Sequence, residues 1–281
     1  VALRLLNSEE EADMTRIATG AVTLDYELRG QGPPLLLING FRRSRVGWLE
    51  PFVQALEPHF RLVLFDNRGT GHSDQPTDGY SIEAFADDCA GLLDALKITR
   101  AHVFGASMGG MIAQRVATRH PHQVQGLALG CTNSGKGSVP AEKRIWELLR
   151  LLPGPEMDAR EVARRQEEAY VVDAFRAEHS DVLQHMFDVN NVNPTPVHAI
   201  NGHRAAIEAF DGSGDLGKIE APTLVLTGAE DRLIPAENSR RIAKAIPGAR
   251  LHLLPEAAHL FWVEKPRESA QALVDFFSAM E

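Results

Sequence analysis

The sequence predicts an α/β fold, a mostly parallel central sheet with helices on both faces and a helical cap insertion, within a chain of 281 residues. Three observations predict it. Short, near-continuous apolar runs recur along the chain, amphipathic helical stretches separate them, and one run ends in a glycine-flanked serine turn that opens a helix.

The apolar runs are 22–28, 35–38, 62–65, 102–104, 126–129, 223–226 and 251–254. Strands apolar at successive positions are covered on both faces, as in a parallel sheet between two helix layers. Ser81 is placed to cap a helix reaching Leu96, whose Phe85, Cys89, Leu92, Leu93 and Leu96 form one stripe. Residues 112–119 form another helix, ended by Pro121. Pro266 opens the last helix, from which Leu273, Phe276 and Phe277 face inward. Between about 132 and 218 no strand-like run appears, and helical sequence rich in Glu, Arg and Ala takes its place. The expected division is a core from 15 to 131, a cap from 132 to 218 and a second core portion from 219 to 281. Gly212, Gly214 and Gly217 have the spacing of a dinucleotide fingerprint. They follow helical sequence and lead to Pro222 instead of opening a helix, so the match reads as chance.

Charge limits the partners. With 38 acidic and 29 basic residues the net charge is −9, which repels phosphate backbones and anionic membranes. Neither nucleic acid nor a membrane is expected, and the one compact basic cluster, Arg42, Arg43 and Arg45, is too small to reverse this. No window approaches 18 apolar residues, and Glu9, Glu10, Glu11 and Asp13 stand where a signal peptide needs an apolar run. Cys89 and Cys131 sit in apolar contexts and cannot form a disulfide framework. A cytoplasmic protein is expected, with Met14 as a candidate natural start and a homo-oligomer left open.

The chemistry gathers on loops that leave the carboxyl ends of predicted strands. Gly105-Ala106-Ser107-Met108-Gly109 follows the run 102–104 and precedes a helix. A serine on such a turn is held with its hydroxyl exposed, and small neighbours are needed to avoid clashes. Ser107 is the candidate nucleophile, the plainer alternative being a helix-capping serine. A serine hydroxyl needs a general base, and the base an orienting acid, here following in the order Ser, Asp, His. His259, just past 251–254, is the candidate base; Asp231, just past 223–226, is the candidate acid, with Glu230 as its rival. His72, His120, His122 and His252 occupy turn, helix-end or strand positions that suit a structural role. The backbone amides of Met108 and Phe41 are the candidate oxyanion donors, unless Asn39-Gly40 is merely a turn. No zinc-type pair and no phosphate loop occurs, so no metal and no cofactor are expected.

Together the Asn39-Gly40-Phe41 loop, the Asp66–Ser73 turn, the serine elbow, the acid loop and the terminal histidine resemble the α/β-hydrolase superfamily over nearly the whole chain. The runs 105–114 and 132–136 are similar to 3-oxoadipate enol-lactonases and related small carboxylesterases. The resemblance implies a serine hydrolase acting on small esters or lactones, and gives the 66–73 turn a structural role. It departs at Asn39, where the family usually has histidine, which leaves the support of the oxyanion loop to be explained. Ser107 separates the chain from the epoxide hydrolases and dehalogenases of this fold, which use aspartate. A C–C bond hydrolase, a perhydrolase, or a ligand-binding receptor that retains the triad stay open.

For the substrate, Arg42 and Arg43, with Arg45, are candidates to hold a carboxylate, local pairing being the commoner use of such a loop. Trp146 and Phe187 are named as pocket residues, among a wider set of Trp48, Tyr170, Phe175, Met186 and Trp262. Core packing is the ordinary alternative for each.

Overall fold

The computed structural model describes residues 15–151 and 154–280; the expectation about Met14 lies outside them. Eight strands form one sheet: β1 (Thr15–Ala18), β2 (Thr23–Arg29), β3 (Pro34–Ile38), β4 (Arg61–Phe65), β5 (Ala101–Ala106), β6 (Val124–Gly130), β7 (Thr223–Gly228) and β8 (Arg250–Leu254). Their order is β1-β2-β4-β3-β5-β6-β7-β8. The β1–β2 and β2–β4 pairs are antiparallel and all others parallel. Each predicted run falls within or against a strand. β1 has no predicted counterpart, because its four residues are mostly exposed at the sheet edge and carry no apolar pattern.

Side chains alternate between two cores, as the pleat requires. Leu36, Ile38, Val63, Phe65, Val103, Leu127, Leu129 and Val225 face one apolar cluster. Leu35, Leu37, Leu62, Leu64, Phe104, Ala128, Leu224 and Leu226 face the other. Continuous apolar sequence is thus the signature of a sheet with no wet face.

The helices α1 (Glu50–Leu56), α2 (Ile82–Ala95) and α3 (Met108–Arg119) belong to the first half of the core. The Ser81 hydroxyl accepts the Ala84 amide at 3.1 Å and caps α2, as predicted. α3 starts four residues earlier than the sequence suggests, immediately after Ser107. Among the described residues five α-helices lie between β6 and β7: α4 (Lys143–Leu149), α5 (Ala159–Tyr170), α6 (Asp173–Glu178), α7 (Ser180–Asn191) and α8 (Val197–Ala209). Then come α9 (Ala236–Ala245), α10 (Phe261–Glu264) and α11 (Pro266–Ser278), the last opened by Pro266. α2 and α3 cover the first cluster, and α1 and α11 the second.

The helical excursion is fastened to the sheet by buried polar bonds. His203 of α8 donates from Nε2 to the Arg68 carbonyl at 2.9 Å, and packs edge-on against Phe85. Arg68 itself makes a buried two-pronged pair with Asp88 at 2.6 and 2.7 Å. At the other end, Leu260 donates its amide to the Tyr170 carbonyl at 2.9 Å. Glu264 accepts the amides of Val172 and Ala258, both at 2.7 Å, so one carboxylate joins the excursion to the loop before α10. Among the described residues no helix is long and apolar enough to cross a membrane.

Candidate active site

Ser107 stands between β5 and α3 with φ 59° and ψ −121°, a backbone state that side-chain-bearing residues rarely adopt and that costs about 1–3 kcal/mol. Its neighbours permit that turn. A Cβ on Gly109 would lie 2.0 Å from the Ile38 carbonyl oxygen, and one on Gly105 would lie 2.1 Å from that of Gly109. Thr132 fixes the turn from behind by donating its hydroxyl to the Ser107 carbonyl at 2.7 Å. Ser107 is half-buried, so its hydroxyl is not sealed in the core.

Asp231 and His259 are both buried, and His259 Nδ1 donates to Asp231 Oδ2 at 2.8 Å. That bond leaves Nε2 unprotonated in the neutral ring and able to accept a proton. The other carboxylate oxygen, Oδ1, accepts the Leu233 and Ile234 amides at 2.9 and 2.8 Å, which fixes the acid. The acid and histidine loops hold each other: Ala229 donates to the Leu254 carbonyl and Glu230 to the Ala257 carbonyl. A Cβ on Gly228 would fall 2.2 Å from the Ala258 carbonyl oxygen, so the two loops meet at a glycine. Glu230, the rival acid, is exposed. His72, His122 and His252 are also exposed, and His120 pairs with Asp87.

Burial opposes a charged His259 ring, but the Asp231 carboxylate outweighs it and raises the imidazole well above its ordinary value. Cys131, at the end of β6, contacts the His259 ring and lies beside the Ser107 amide, and burial raises its thiol. It was not singled out by its sequence context, which marks only a buried thiol. Cys131, Asp231 and His259 bring their potential ligand atoms within 4.8 Å of one another, the one such group among the described residues. The Asp231–His259 hydrogen bond already occupies two of those groups.

The loop after β3 abuts the serine: a Cβ on Gly40 would lie 3.1 Å from Ser107 Cβ. Asn39, buried, takes over the supporting work: its Nδ2 donates to the Ser44 carbonyl at 2.9 Å and its Oδ1 accepts the Gly40 amide at 2.8 Å. Asn67 donates to the Asn39 carbonyl at 3.0 Å. The amides of Phe41 and Met108 make no protein hydrogen bond among the described residues.

The basic cluster divides into three different environments. Arg45 is engaged with Asp25 of β2 and with Asp66 of the turn 66–73, so its guanidinium is already paired within the protein. Arg42 is exposed, with its guanidinium 6.0 Å from the Phe41 ring. Arg43 turns inward, 5.9 Å from the Tyr170 ring, which is itself 6.4 Å from the His259 ring. The aromatic candidates fall in different surroundings. Trp48 and Trp262 are buried against each other in the second cluster, with ring centroids 5.2 Å apart. Trp146 is exposed, 45%, on α4, and Phe187 lies under the Arg160 guanidinium at 5.3 Å. Helical periodicity marks the apolar stripe, and most of that stripe is packing. Of the set, Tyr170 is the ring the structure sets beside His259.

Residues 33–266 match the family model described as the alpha/beta hydrolase fold. The chain belongs to the alpha/beta hydrolase family. This alpha/beta hydrolase is 32% identical over 246 residues to a putative carbamate hydrolase RutD of Caulobacter sp. strain K31, covering 87% of this chain and 90% of that protein. It is 30% identical over 248 residues to a poly(3-hydroxyalkanoate) depolymerase of Ectopseudomonas oleovorans, covering 86% and 83%. The enol-lactonase of Burkholderia xenovorans LB400 superposes with a TM-score of 0.80 at 30% identity, covering 94% of this chain and all of that one.

Proposed function

We propose that this alpha/beta hydrolase cleaves carboxylic esters or lactones of small molecules through an acyl-enzyme. The observation that carries the reading is the buried Asp231–His259 hydrogen bond, 2.8 Å long, linked through Cys131 to the strained Ser107 turn. The relatives named for lactone and polyester chemistry support that choice of substrate.

Ser107 Oγ attacks the acyl carbonyl while His259 Nε2 takes its proton. The carbonyl oxygen, now negative, is held by the Phe41 and Met108 amides. As the tetrahedral state collapses, the C–O bond to the leaving oxygen breaks and His259 returns the proton to that oxygen. Water then attacks the acyl-serine, giving its proton to His259, and collapse releases the carboxylic acid and restores the serine hydroxyl. Asp231 keeps the imidazole in the tautomer that leaves Nε2 free and favours the imidazolium that forms. Residues 132–218 act as the cap, with Tyr170 reaching the histidine from above the sheet.

Replacing the nucleophile tests this. Ser107→Ala removes one oxygen from a half-buried position, so folding survives while ester turnover falls by about 10⁴–10⁶. A pre-steady-state burst with p-nitrophenyl acetate, lost in the variant, reports the acyl-enzyme. More than a tenth of the wild-type rate in Ser107→Ala would overturn the assignment. Cleavage of a dienone acid with no ester turnover would replace it by C–C bond hydrolysis.

A further inference from the structure

Three consecutive residues of the loop after β3 are each held by a different part of the helical excursion between β6 and β7. The Phe41 ring stands edge-on to His203 of α8, with centroids 6.2 Å apart. The Arg42 carbonyl accepts the Thr195 hydroxyl at 3.1 Å, and the Arg43 guanidinium lies 5.9 Å from the Tyr170 ring at the end of α5. On its other side the loop meets the nucleophile, where Gly40 packs against Ala106 and Ser107. The Phe41 amide therefore sits between the core and contacts that the excursion supplies.

The turn does not support itself. The Arg43 amide donates to the Gly40 carbonyl at 3.3 Å, long for such a bond, and closes a four-residue turn whose third residue, Arg42, has φ 62°. That left-handed state favours glycine, and a residue with a side chain keeps it only where its surroundings impose it. Thr195 is placed to impose it. It stands between Pro194 and Pro196, whose rings restrict the backbone of the segment. Asn193 Nδ2 donates to the Gly71 carbonyl at 2.6 Å, and His198 Nε2 lies 3.2 Å from the Gln75 carbonyl oxygen, so the segment is pinned on both sides of Thr195. α8 follows at Val197 and is tied to the core by the bond from His203 to the Arg68 carbonyl. A stiff strut thus runs from the 66–75 segment through Thr195 to the carbonyl of the residue after Phe41.

From this geometry we infer that Thr195 is a positioning residue: it braces the turn 40–43, so that the Phe41 amide is aimed at the oxyanion only with the 193–198 segment seated. The inference rests on the acyl-transfer reading above and makes its oxyanion donor dependent on the excursion. The Thr195 hydroxyl acts through the Arg42 peptide and not on the substrate. An oxyanion donor works by placement, about 2.7–3.1 Å from the developing charge, and its outright loss costs about 10²–10³ in kcat. Loosening the turn while the donor stays in the chain costs part of that, and in kcat more than in KM, because the bond strengthens in the transition state.

The test compares Thr195→Val, which keeps the branched shape and removes the hydroxyl, with Thr195→Ser, which keeps the hydroxyl. With 4-nitrophenyl butyrate, Thr195→Val is expected to lower kcat about tenfold and leave KM within about twofold. Inhibition by butylboronic acid, whose tetrahedral serine adduct stands in for the oxyanion, should weaken by a similar factor. Thr195→Ser should hold both within about twofold of wild type. Hydrogen–deuterium exchange reads the brace without turnover: peptides spanning 40–44 should exchange faster in Thr195→Val and at the wild-type rate in Thr195→Ser. Unchanged exchange overturns the inference. Faster exchange with kcat and boronate affinity intact also overturns it, since Thr195 would then hold the loop without aiming the donor. A wild-type protein with no acyl burst would sink the acyl-transfer reading, and exchange would still decide the brace, for it if faster in Thr195→Val and against it if not. Should Thr195→Val fail to fold, Thr195→Ala supplies the same comparison.

Discussion

The two ends of β5 each carry a polar group into the heart of the molecule, and the protein treats them in opposite ways. At the start of the strand, His102 is wholly buried, stacked on Phe277 with ring centroids 4.4 Å apart, and neither ring nitrogen has a protein partner among the described residues. Past its other end, at Ser107, the buried histidine is His259, bonded to Asp231. Burial, with the Arg100 charge, drives the His102 imidazole down to about 4, whereas burial at His259 is outweighed by the Asp231 carboxylate, with Cys131, which raises that ring well above its ordinary value. Equal depth therefore gives a neutral packing group at one end and a proton acceptor at the other. The difference lies chiefly in the Asp231 carboxylate and in the direction of the parallel strands, whose carboxyl ends bring separate loops to one place.

The strongest way to break the comparison is to remove each ring. His259→Ala is expected to lower kcat/KM for a small ester by about 10⁴–10⁶, because in the proposed mechanism both proton transfers pass through it. His102→Leu should leave kcat/KM within about twofold, since no step uses that ring. Steady-state kinetics on the two variants decide it, and a comparable loss in both would mean that His102 supports the site from below.

A second test sharpens the contrast through pH. In the proposed mechanism His259 must be neutral to accept the serine proton, and Asp231 raises its proton affinity, so kcat/KM should climb with pH through a midpoint above the ordinary histidine value of about 6.5. In Asp231→Asn the carboxylate is lost while burial remains, and the midpoint should fall as the rate drops on the order of 10³–10⁴. A midpoint that stays put in Asp231→Asn would assign the raised affinity to something other than Asp231.

How much of this was legible in the sequence follows from the range of the forces involved. The strands and the serine elbow are written locally, in continuous apolar runs and in glycines whose missing side chains make room for backbone. Ser107, Asp231 and His259 follow β5, β7 and β8, parallel strands whose carboxyl ends share one rim, so strand direction carries them to one side of the sheet. β1 was invisible because an exposed four-residue edge strand is held by pairing with β2 and not by its own composition. The fates of Arg42, Arg43 and Arg45 could not be separated either, because what distinguishes them is supplied from afar: Asp25 and Asp66 for Arg45, Tyr170 for Arg43. Cys131 reads as a core thiol from its neighbours in sequence, and only the meeting of β6 with the histidine loop sets it against His259.

The smallest expected effect is on stability in acid. His102 and His203 are both held neutral by burial, with proton affinities lowered to about 4, while in the unfolded chain they titrate near 6.5. Between those values the unfolded state binds the extra protons, so stability falls as pH drops below about 6.5 and the loss levels off below about 4. Each ring contributes up to about 1.4 kcal/mol per pH unit inside that window. His259 acts with the opposite sign: its folded affinity is raised, so its contribution is present below about 6.5 and is lost as pH rises through the folded value. His102→Leu removes one of the two acid-sensitive rings and, with it, two ring nitrogens that have no protein partner among the described residues. It also gives up the stacking on Phe277, worth about 0.5–1.5 kcal/mol, against about 1–3 kcal/mol for burying an unpaired polar group. The variant should therefore be no less stable than wild type at pH 7, and between pH 6 and pH 5 it should lose roughly 1 kcal/mol less than wild type. Urea denaturation at the two pH values measures both quantities, and an unchanged acid loss in His102→Leu would show that this ring is not the neutral, unpaired group that the contrast with His259 requires.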